Sequence, residues 1–334
     1  MSTNQLTMEI SELKTKFNSN RNLYETLGKN VVESISLLLE KKEIKFLSIN
    51  YRIKELDSFL EKIERKSYNN PLEEIEDFCG IRIICYYQKD INEIQEIIKN
   101  EFEVHEFQNK QNNLDYNEFG YRSNHLIASI QKSWENSPQF RGLLNLKFEL
   151  QIRTILMHAW AEIEHSLAYK NQNQTPTQFK RKLYRISAKL EEADEQFEEL
   201  KLESLKYQRE IKKVTDVDFE NIELNIDTLQ AFMDNNFPNR LKGKEATGQF
   251  LDLMIEYEIT LAELAESWKK VKPNFKKIES DFLSNDFLLF KKWAQTGIAR
   301  FILDLTNEKF MKRLKSDGKY YQRIDEFSKK YNLK

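Results

Sequence analysis

The spacing of apolar residues changes twice along the chain. Residues 31–66 read as one long helix, with apolar side chains recurring every three or four positions. From about residue 70 to 155 the pattern turns to short runs rich in β-branched and aromatic residues, at 81–87, 125–130 and 146–152. The last run alternates strictly. It places Phe148, Leu150 and Ile152 on one face of a strand and Glu149, Gln151 and Arg153 on the other. Between the first two runs, residues 91–100 carry apolar side chains at 91, 94, 97 and 98 and predict a helix. Helices are also predicted over 155–169 and 179–213, and everything beyond reads as helical. Strands interleaved with helices indicate one mixed α/β domain. The turn-rich stretch 171–177 marks the expected boundary between a domain over 1–175 and a helical region over 176–334.

Composition narrows the class. The 334 residues, 40% hydrophobic, suffice for about two packed domains. A net charge of −2 argues against a generally polyanion-binding surface. Two basic stretches still stand out in the second half. Lys269, Lys270, Lys272, Lys276 and Lys277 have no acid among them, and 309–334 holds nine basic residues against three acidic. The two cysteines, Cys79 and Cys85, exclude a disulfide framework or a four-cysteine zinc site. Residues 1–16 are polar, and no apolar run approaches the roughly 18 residues of a membrane span, so a soluble, cytoplasmic protein is expected. The glycines form no Gly-x-Gly. Gly243 to Gly248 has P-loop spacing, but Gln249 stands where the lysine must be, so the segment is read as a loop. None of the four histidines precedes an aspartate, which removes a metal-dependent His-Asp hydrolase site.

Four constellations could carry chemistry. On a helix, Lys54, Ser58 and Lys62 share one face with Arg52 nearby, and such a face can hold a polyphosphate. A solvated face paired with neighbouring acids is the alternative. Asp77 stands at the entrance of the first strand, close before Arg82, where an oxygen ligand for a hard cation such as Mg²⁺ would sit. Glu149 and Gln151 lie on the polar face of the alternating strand, as a second part of a site or as an ordinary wet face. Tyr121, after Gly120, could stack a base at a loop tip or simply pack in a turn, with His125 just beyond. His158, Glu162 and His165 recur at helical spacing, as metal ligands or as hydrogen-bonded helix residues.

The order and wording of these motifs resemble one family. They read Arg-x-Lys-x-x-x-Ser-x-x-x-Lys (Arg52 to Lys62), Asp-x-x-Gly-x-Arg (Asp77 to Arg82), Gly-Tyr-x-Ser-x-His (Gly120 to His125) and Glu-x-Gln-Ile-Arg-Thr (Glu149 to Thr154). His-Ala-Trp-Ala-Glu-x-Glu-His-x-x-x-Tyr-Lys (His158 to Lys170) completes the series. Together they resemble the RelA/SpoT-type alarmone synthetase domain. The resemblance implies an α+β fold: a nucleotidyltransferase-like mixed sheet flanked by helices, followed here by an all-helical C-terminal region. It further implies Mg²⁺-dependent transfer of pyrophosphate from ATP to the 3′-hydroxyl of GDP or GTP, giving (p)ppGpp and AMP. By position, Arg52, Lys54, Ser58, Lys62 and Arg82 would hold ATP, and Asp77 and Glu149 would bind the metal and serve catalysis. Tyr121, His125 and Gln151 would take the acceptor.

Three departures bear on this reading. The hydrolase half of long relatives is missing. Asn117, Glu118 and Phe119 occupy a stretch where many small synthetases carry an acceptor-gripping lysine. The helical half is much longer than the tails of minimal members, and its start at 184–197 looks like the extension of longer stand-alone ones. Some proteins of that layout are fused toxin–antitoxins of phage defence, with the tRNA 3′ end as acceptor and the C-terminal part as restraint. The acceptor, self-association, and a regulatory protein acting through 176–334 are therefore left open.

Overall fold

The computed structural model describes residues 3–66, 68, 70–109, 124–167, 177–213, 218–242, 244–284 and 293–333. The chain divides into two compact units, 1–201 and 202–334.

The first unit opens with α1 (Thr3–Lys41) and β1 (Phe46–Ile53), followed by α2 (Leu56–Arg65), the single turn α3 (Pro71–Glu74) and β2 (Cys79–Cys85). Then come α4 (Gln88–Glu101), β3 (Phe102–Asn109), β4 (Asn124–Ile130), β5 (Phe148–Thr154), α5 (Ile155–Leu167) and the start of α6 (Thr177–Ile211). The strands form one mixed sheet in the order β1-β2-β5-β4-β3. β2 and β5 run parallel, and the other neighbours are antiparallel. This is the expected α+β architecture with helices around a mixed sheet.

Residues 31–66 are not one helix. α1 ends at Lys41, and Glu43 turns the chain with a φ of 58°. Residues 46–53 form edge strand β1, whose ladder to β2 pairs Ile49 with Ile83 and Arg52 with Gly80. Burial of Ile49 and Ile53 against α1 sets that register. Gly28 marks the closest approach of α1 to this strand, where an added Cβ would stand 2.5 Å from the Tyr51 ring.

One sheet face is apolar, covered by α1 and α4. Leu27, Val31, Ile35, Ile94 and Ile98 pack there against Ile81, Ile83, Leu126, Leu150 and Ile152. The run of residues 148–154 alternates buried and half-buried, as the sequence pattern requires. The opposite face is therefore left to polar side chains.

α6 places the unit boundary 26 residues beyond the 175 expected from the linker, most of which (171–176) lies outside the described residues. Leu183 and Leu190 pack against the first core. Asp194 accepts from Thr154, Glu198 from the Lys89 amide, and Lys201 bonds Asp90. The helix is thus built into the first unit until Lys201.

The second unit is helical, as expected: α7 (Ile226–Asn236), α8 (Lys244–Glu256), α9 (Leu261–Val271), α10 (Phe275–Ser284), α11 (Gln295–Thr306), α12 (Glu308–Met311) and α13 (Gly318–Lys330). α11 runs through its core, with Ile298, Ile302 and Leu305 wholly buried. Asn225 with Thr228 and Thr260 with Glu263 form capping boxes that start α7 and α9. Gly243 lies outside the described residues, and 244–248 are not a loop: α8 starts at Lys244, and buried Thr247 donates to Gln230 Oε1 at 2.7 Å. Among the described residues no helix is long and apolar enough to cross a membrane.

Candidate active site

The polar sheet face is assembled by register. β1 and β2 place Asn50 opposite Arg82 and Arg52 opposite Gly80. β2 and β5 place Gly80 beside Glu149 and Arg82 beside Gln151. β4 then sets His125 opposite Gln151. Side chains on alternate positions of β1, β2 and β5 so converge on one cavity of about 560 Å³, lined among others by Arg52, Lys54, Ser58, Asp77, Arg82, Glu149, Gln151, His158 and Glu162, and His125 of β4 reaches it through Glu149.

Asp77 is fixed by its neighbour. Phe78 is buried in a cluster with Phe17, Tyr24 and Phe59, with ring centroids 4.6–5.6 Å apart, which ties α1 and α2 to the entrance of β2. The Lys54 amide donates to the Phe78 carbonyl at 2.9 Å. With the backbone held there, Lys54 Nζ and Lys62 Nζ each donate to one oxygen of Asp77 at 2.8 Å. Lys54 and Lys62 keep only 16% and 19% of their side-chain exposure, so water screens these pairs less than on an open surface. Burial pushes the Asp77 carboxyl upward, but the two lysines outweigh it and hold the group below the usual carboxylate range.

Glu149 is gripped from the other side. Its Oε1 accepts from His125 Nδ1 at 2.7 Å and its Oε2 from Gln151 Nε2 at 3.0 Å, while Arg153 donates to Gln151 Oε1 at 2.8 Å. Burial again acts upward on Glu149, and His125 then Gln151 bring it down. The charge of Asp77 pushes it up slightly, a sign that the two carboxylates share one field. The third corner is on α5. Glu162 accepts from Arg82 Nη1 at 2.7 Å, one turn from His158. The buried Nδ1 of His158 makes no hydrogen bond and stands 3.7 Å from Glu162. Burial, followed by the Arg82 charge, holds this histidine below the usual imidazole range.

The sequence assignments meet this geometry unevenly. Arg52 and Lys54 do not share a helical face with Ser58 and Lys62: Arg52 lies on β1, Lys54 follows the strand, and the other two lie on α2. Arg52, Lys54 and Ser58 nonetheless line the cavity, and Lys62 reaches it through Asp77. Tyr121 falls outside the described residues. Ser48 and Asn50 line the cavity but were not foreseen; reading β1 as a strand would have put them on the face of Arg52. For a metal, no group of three or more His, Cys, Asp and Glu side chains is assembled among the described residues. A His158–Glu162–His165 centre is accordingly not formed. Two carboxylates facing one cavity do fit a hard cation whose shell is completed by phosphate and water.

Residues 51–174 match the region found in RelA / SpoT proteins. The chain is 33% identical over 197 residues to the GTP pyrophosphokinase YjbM of Bacillus subtilis, covering 58% of this chain and 83% of that one. It is 33% identical over 131 residues to YwaC of the same organism, also a GTP pyrophosphokinase, covering 38% and 60%. The crystal structure of small alarmone synthetase 1 from Bacillus subtilis is similar over 57% of this chain and 98% of that chain, at 28% identity and a TM-score of 0.48. The chain belongs to the RelA/SpoT family of pyrophosphokinases.

Proposed function

We propose that the chain transfers the terminal pyrophosphate of ATP to the 3′-hydroxyl of GDP or GTP, making (p)ppGpp and releasing AMP. The observation that carries this reading is the convergence of Arg52, Lys54, Ser58 and Arg82 with two separately gripped carboxylates in one cavity. The GTP pyrophosphokinase relatives support the same acceptor.

Charge neutralisation and alignment dominate such a transfer, because both reactants are anions and the reacting oxygens must lie in line. Arg52, Lys54, Lys62 and Arg82 supply the positive field, and Ser58 a hydroxyl donor. A polyphosphate brought against Lys54 and Lys62 replaces Asp77 as their counter-ion and frees its two oxygens. Asp77 and Glu149 would then hold Mg²⁺, which when bound supplies further neutralisation of the phosphates. Glu149, kept ionised by His125 and Gln151, is the group placed to take the hydroxyl proton. A bond forms between the acceptor 3′-oxygen and the β-phosphorus, and the bond from that phosphorus to the bridging oxygen breaks. AMP leaves with the electron pair. His125 and Gln151 border the acceptor side, and Tyr121 would stack its base.

A second reading keeps this chemistry but takes the tRNA 3′ end as acceptor, with 176–334 as restraint. It is favoured by the exposed Lys269, Lys270, Lys272, Lys276 and Lys277 on α9, α10 and the turn between them, a cluster suited to phosphate backbones. One experiment separates the two. Full-length protein with Mg²⁺ and ATP labelled at its terminal phosphate is offered GDP, GTP or bulk tRNA in parallel. Label on guanosine nucleotides supports the first reading and label on tRNA alone the second. No transfer to any acceptor, with residues 1–201 equally inactive, sinks both.

A further inference from the structure

Three side chains on one face of α6, at positions 194, 198 and 201, meet the starts of two helices that leave the sheet. Glu198 Oε2 accepts from the Lys89 amide at 3.2 Å, in the first turn of α4. Lys201 bonds Asp90 at 2.9 Å and lies 4.0 Å over the Tyr87 ring. Asp194 reaches the start of α5. It is 2% exposed, and its Oδ2 accepts from the Thr154 hydroxyl at 2.5 Å.

Thr154 stands at a junction. It is the last residue of β5, the strand of Glu149 and Gln151, and it is wholly buried. Its hydroxyl oxygen accepts from the Met157 amide at 3.1 Å, which caps the first turn of α5. Its own amide donates to Met157 Sδ at 3.3 Å. The hydroxyl has one proton, and Asp194 takes it, so the lone pairs remain aimed at the helix. Two turns further along α5, Glu162 holds Arg82 at 2.7 Å, at the wall of the nucleotide cavity.

We infer that Asp194 of α6 is a positioning residue for the ATP site: through Thr154 it fixes the start of α5, and through Glu162 on that helix it sets Arg82. The link to ATP rests on the proposed function, whereas the link to α5 does not. A carboxylate near a helix N-terminus is favourable in itself. What distinguishes Asp194 is that its contact runs through the residue that both ends the catalytic strand and caps the helix bearing the arginine's partner. The front of the long C-terminal extension thereby becomes a working part of the synthetase unit.

The test uses the full-length chain with Asp194→Ala, Asp194→Asn, Thr154→Val, Thr154→Ser and the double variant Asp194→Ala/Thr154→Val. ATP affinity is measured by calorimetry, KM and kcat by AMP release, and exchange of α5 backbone amides by mass spectrometry. Loss of one buried hydrogen bond on this path should weaken ATP binding about fivefold to tenfold in Asp194→Ala and in Thr154→Val. KM for ATP should rise while kcat changes less than about threefold. Asparagine and serine keep an acceptor and a hydroxyl, and should restore ATP affinity. The double variant should be no weaker than the worse single one, because both break the same path. Amides in the first turn of α5 should exchange faster in Asp194→Ala with or without nucleotide. Unchanged α5 exchange overturns the inference. So does an ATP affinity that stays at the wild-type value while melting temperature falls, or an additive double variant. Wild-type protein that binds no ATP, with α5 exchange still responding, would instead count against the proposed function. If Asp194→Ala does not fold, the Thr154→Val and Thr154→Ser pair decides alone.

Discussion

Polar groups removed from water do opposite things in the two compact units. In the first, Lys54, Lys62, His125 and Gln151 hold two carboxylates at the edge of a cavity, with Arg82 held by Glu162 at its wall. In the second, several end on one another and on backbone. Buried Gln295 donates to the Phe237 carbonyl at 3.1 Å and to Asp234 at 3.0 Å, and accepts from Gln230 at 2.9 Å, joining α11 to α7. Trp268 Nε1 donates to Asn236, and Ser328 to the Leu305 carbonyl. Charged groups that converge on a void are poised for a ligand, whereas polar groups that close a network specify which helices pack together.

This difference predicts that equivalent damage has different consequences. Asp77→Ala and Glu149→Ala should each lower AMP release by about a thousandfold or more, because among the described residues the one further carboxylate lining the cavity, Glu162, already holds Arg82. Circular dichroism melts should show both variants folded. Retained transfer in both would break the assignment of this face as catalytic.

In the second unit the expected loss is stability. Gln295→Leu removes three hydrogen bonds at once, to the Phe237 carbonyl, Asp234 and Gln230, although the carbonyl keeps the Arg240 amide and Gln230 keeps Asp234. It should cost about 1–3 kcal/mol in a urea titration, since each lost buried hydrogen bond contributes about 0.5–1.5 kcal/mol. AMP release at 25 °C should be unchanged. A Gln295→Leu protein of wild-type stability would mean that the network is ornamental, and the contrast between the units would fail.

Legibility in sequence follows position in the sheet. The three inner strands were visible from their β-branched runs because they are shielded by neighbours on both edges. β1 and β3 were not, and both are edges. An edge strand half meets water and carries polar residues accordingly. In β1 the ambiguity is specific: Phe46, Ile49, Ile53, Leu56, Leu60 and Ile63 recur at three and four residues, a helical period that continues across a real strand into α2. Arg52, Lys54, Ser58, Asp77, Arg82, Glu149 and Gln151 of the cavity lining were still named, because the ordered motifs picked them out whatever their local structure. The seat of α6 was not visible. Asp194, Glu198 and Lys201 look like solvated charges until the helix starts they face are known.

Titration offers a finer contrast, within the first unit. Burial, aided by the Glu198 charge, pushes Asp194 from 3.8 up to about 7, whereas Asp77 ends below 3.8. Folding therefore takes up a proton at Asp194 between these limits, so its effect on stability becomes less favourable as pH rises from about 4 to about 7 and is constant above. Asp77 behaves oppositely. Its contribution is present above the ordinary carboxylate pKa and is lost as pH falls through the folded value. Guanidinium melts from pH 4 to 8 should show Asp194→Asn gaining on wild type across that window. The deficit of Asp77→Asn should instead stay level over that window and shrink only in melts taken below about pH 4. Parallel curves for Asp194→Asn and wild type would show that the buried carboxyl is not titrating there.

The smallest expected effect sits on the surface of the second unit. Lys270 pairs with Glu266 at 2.9 Å one turn away on α9, with half of its side chain exposed. Such a pair gains little attraction in water and spends side-chain entropy to hold its geometry. Lys270→Ala should change unfolding free energy by less than about 0.5 kcal/mol and leave alarmone formation intact. If tRNA is the acceptor, the same substitution should weaken its binding and flatten the salt dependence by roughly one unit of slope, while ATP affinity holds. A lysine silent in stability and in nucleotide binding, yet felt by tRNA, would turn the basic face of the second unit from solvated charge into a docking surface. A lysine silent in all three would leave that face a solvated one, and the functional polar chemistry of the chain would lie in the first unit.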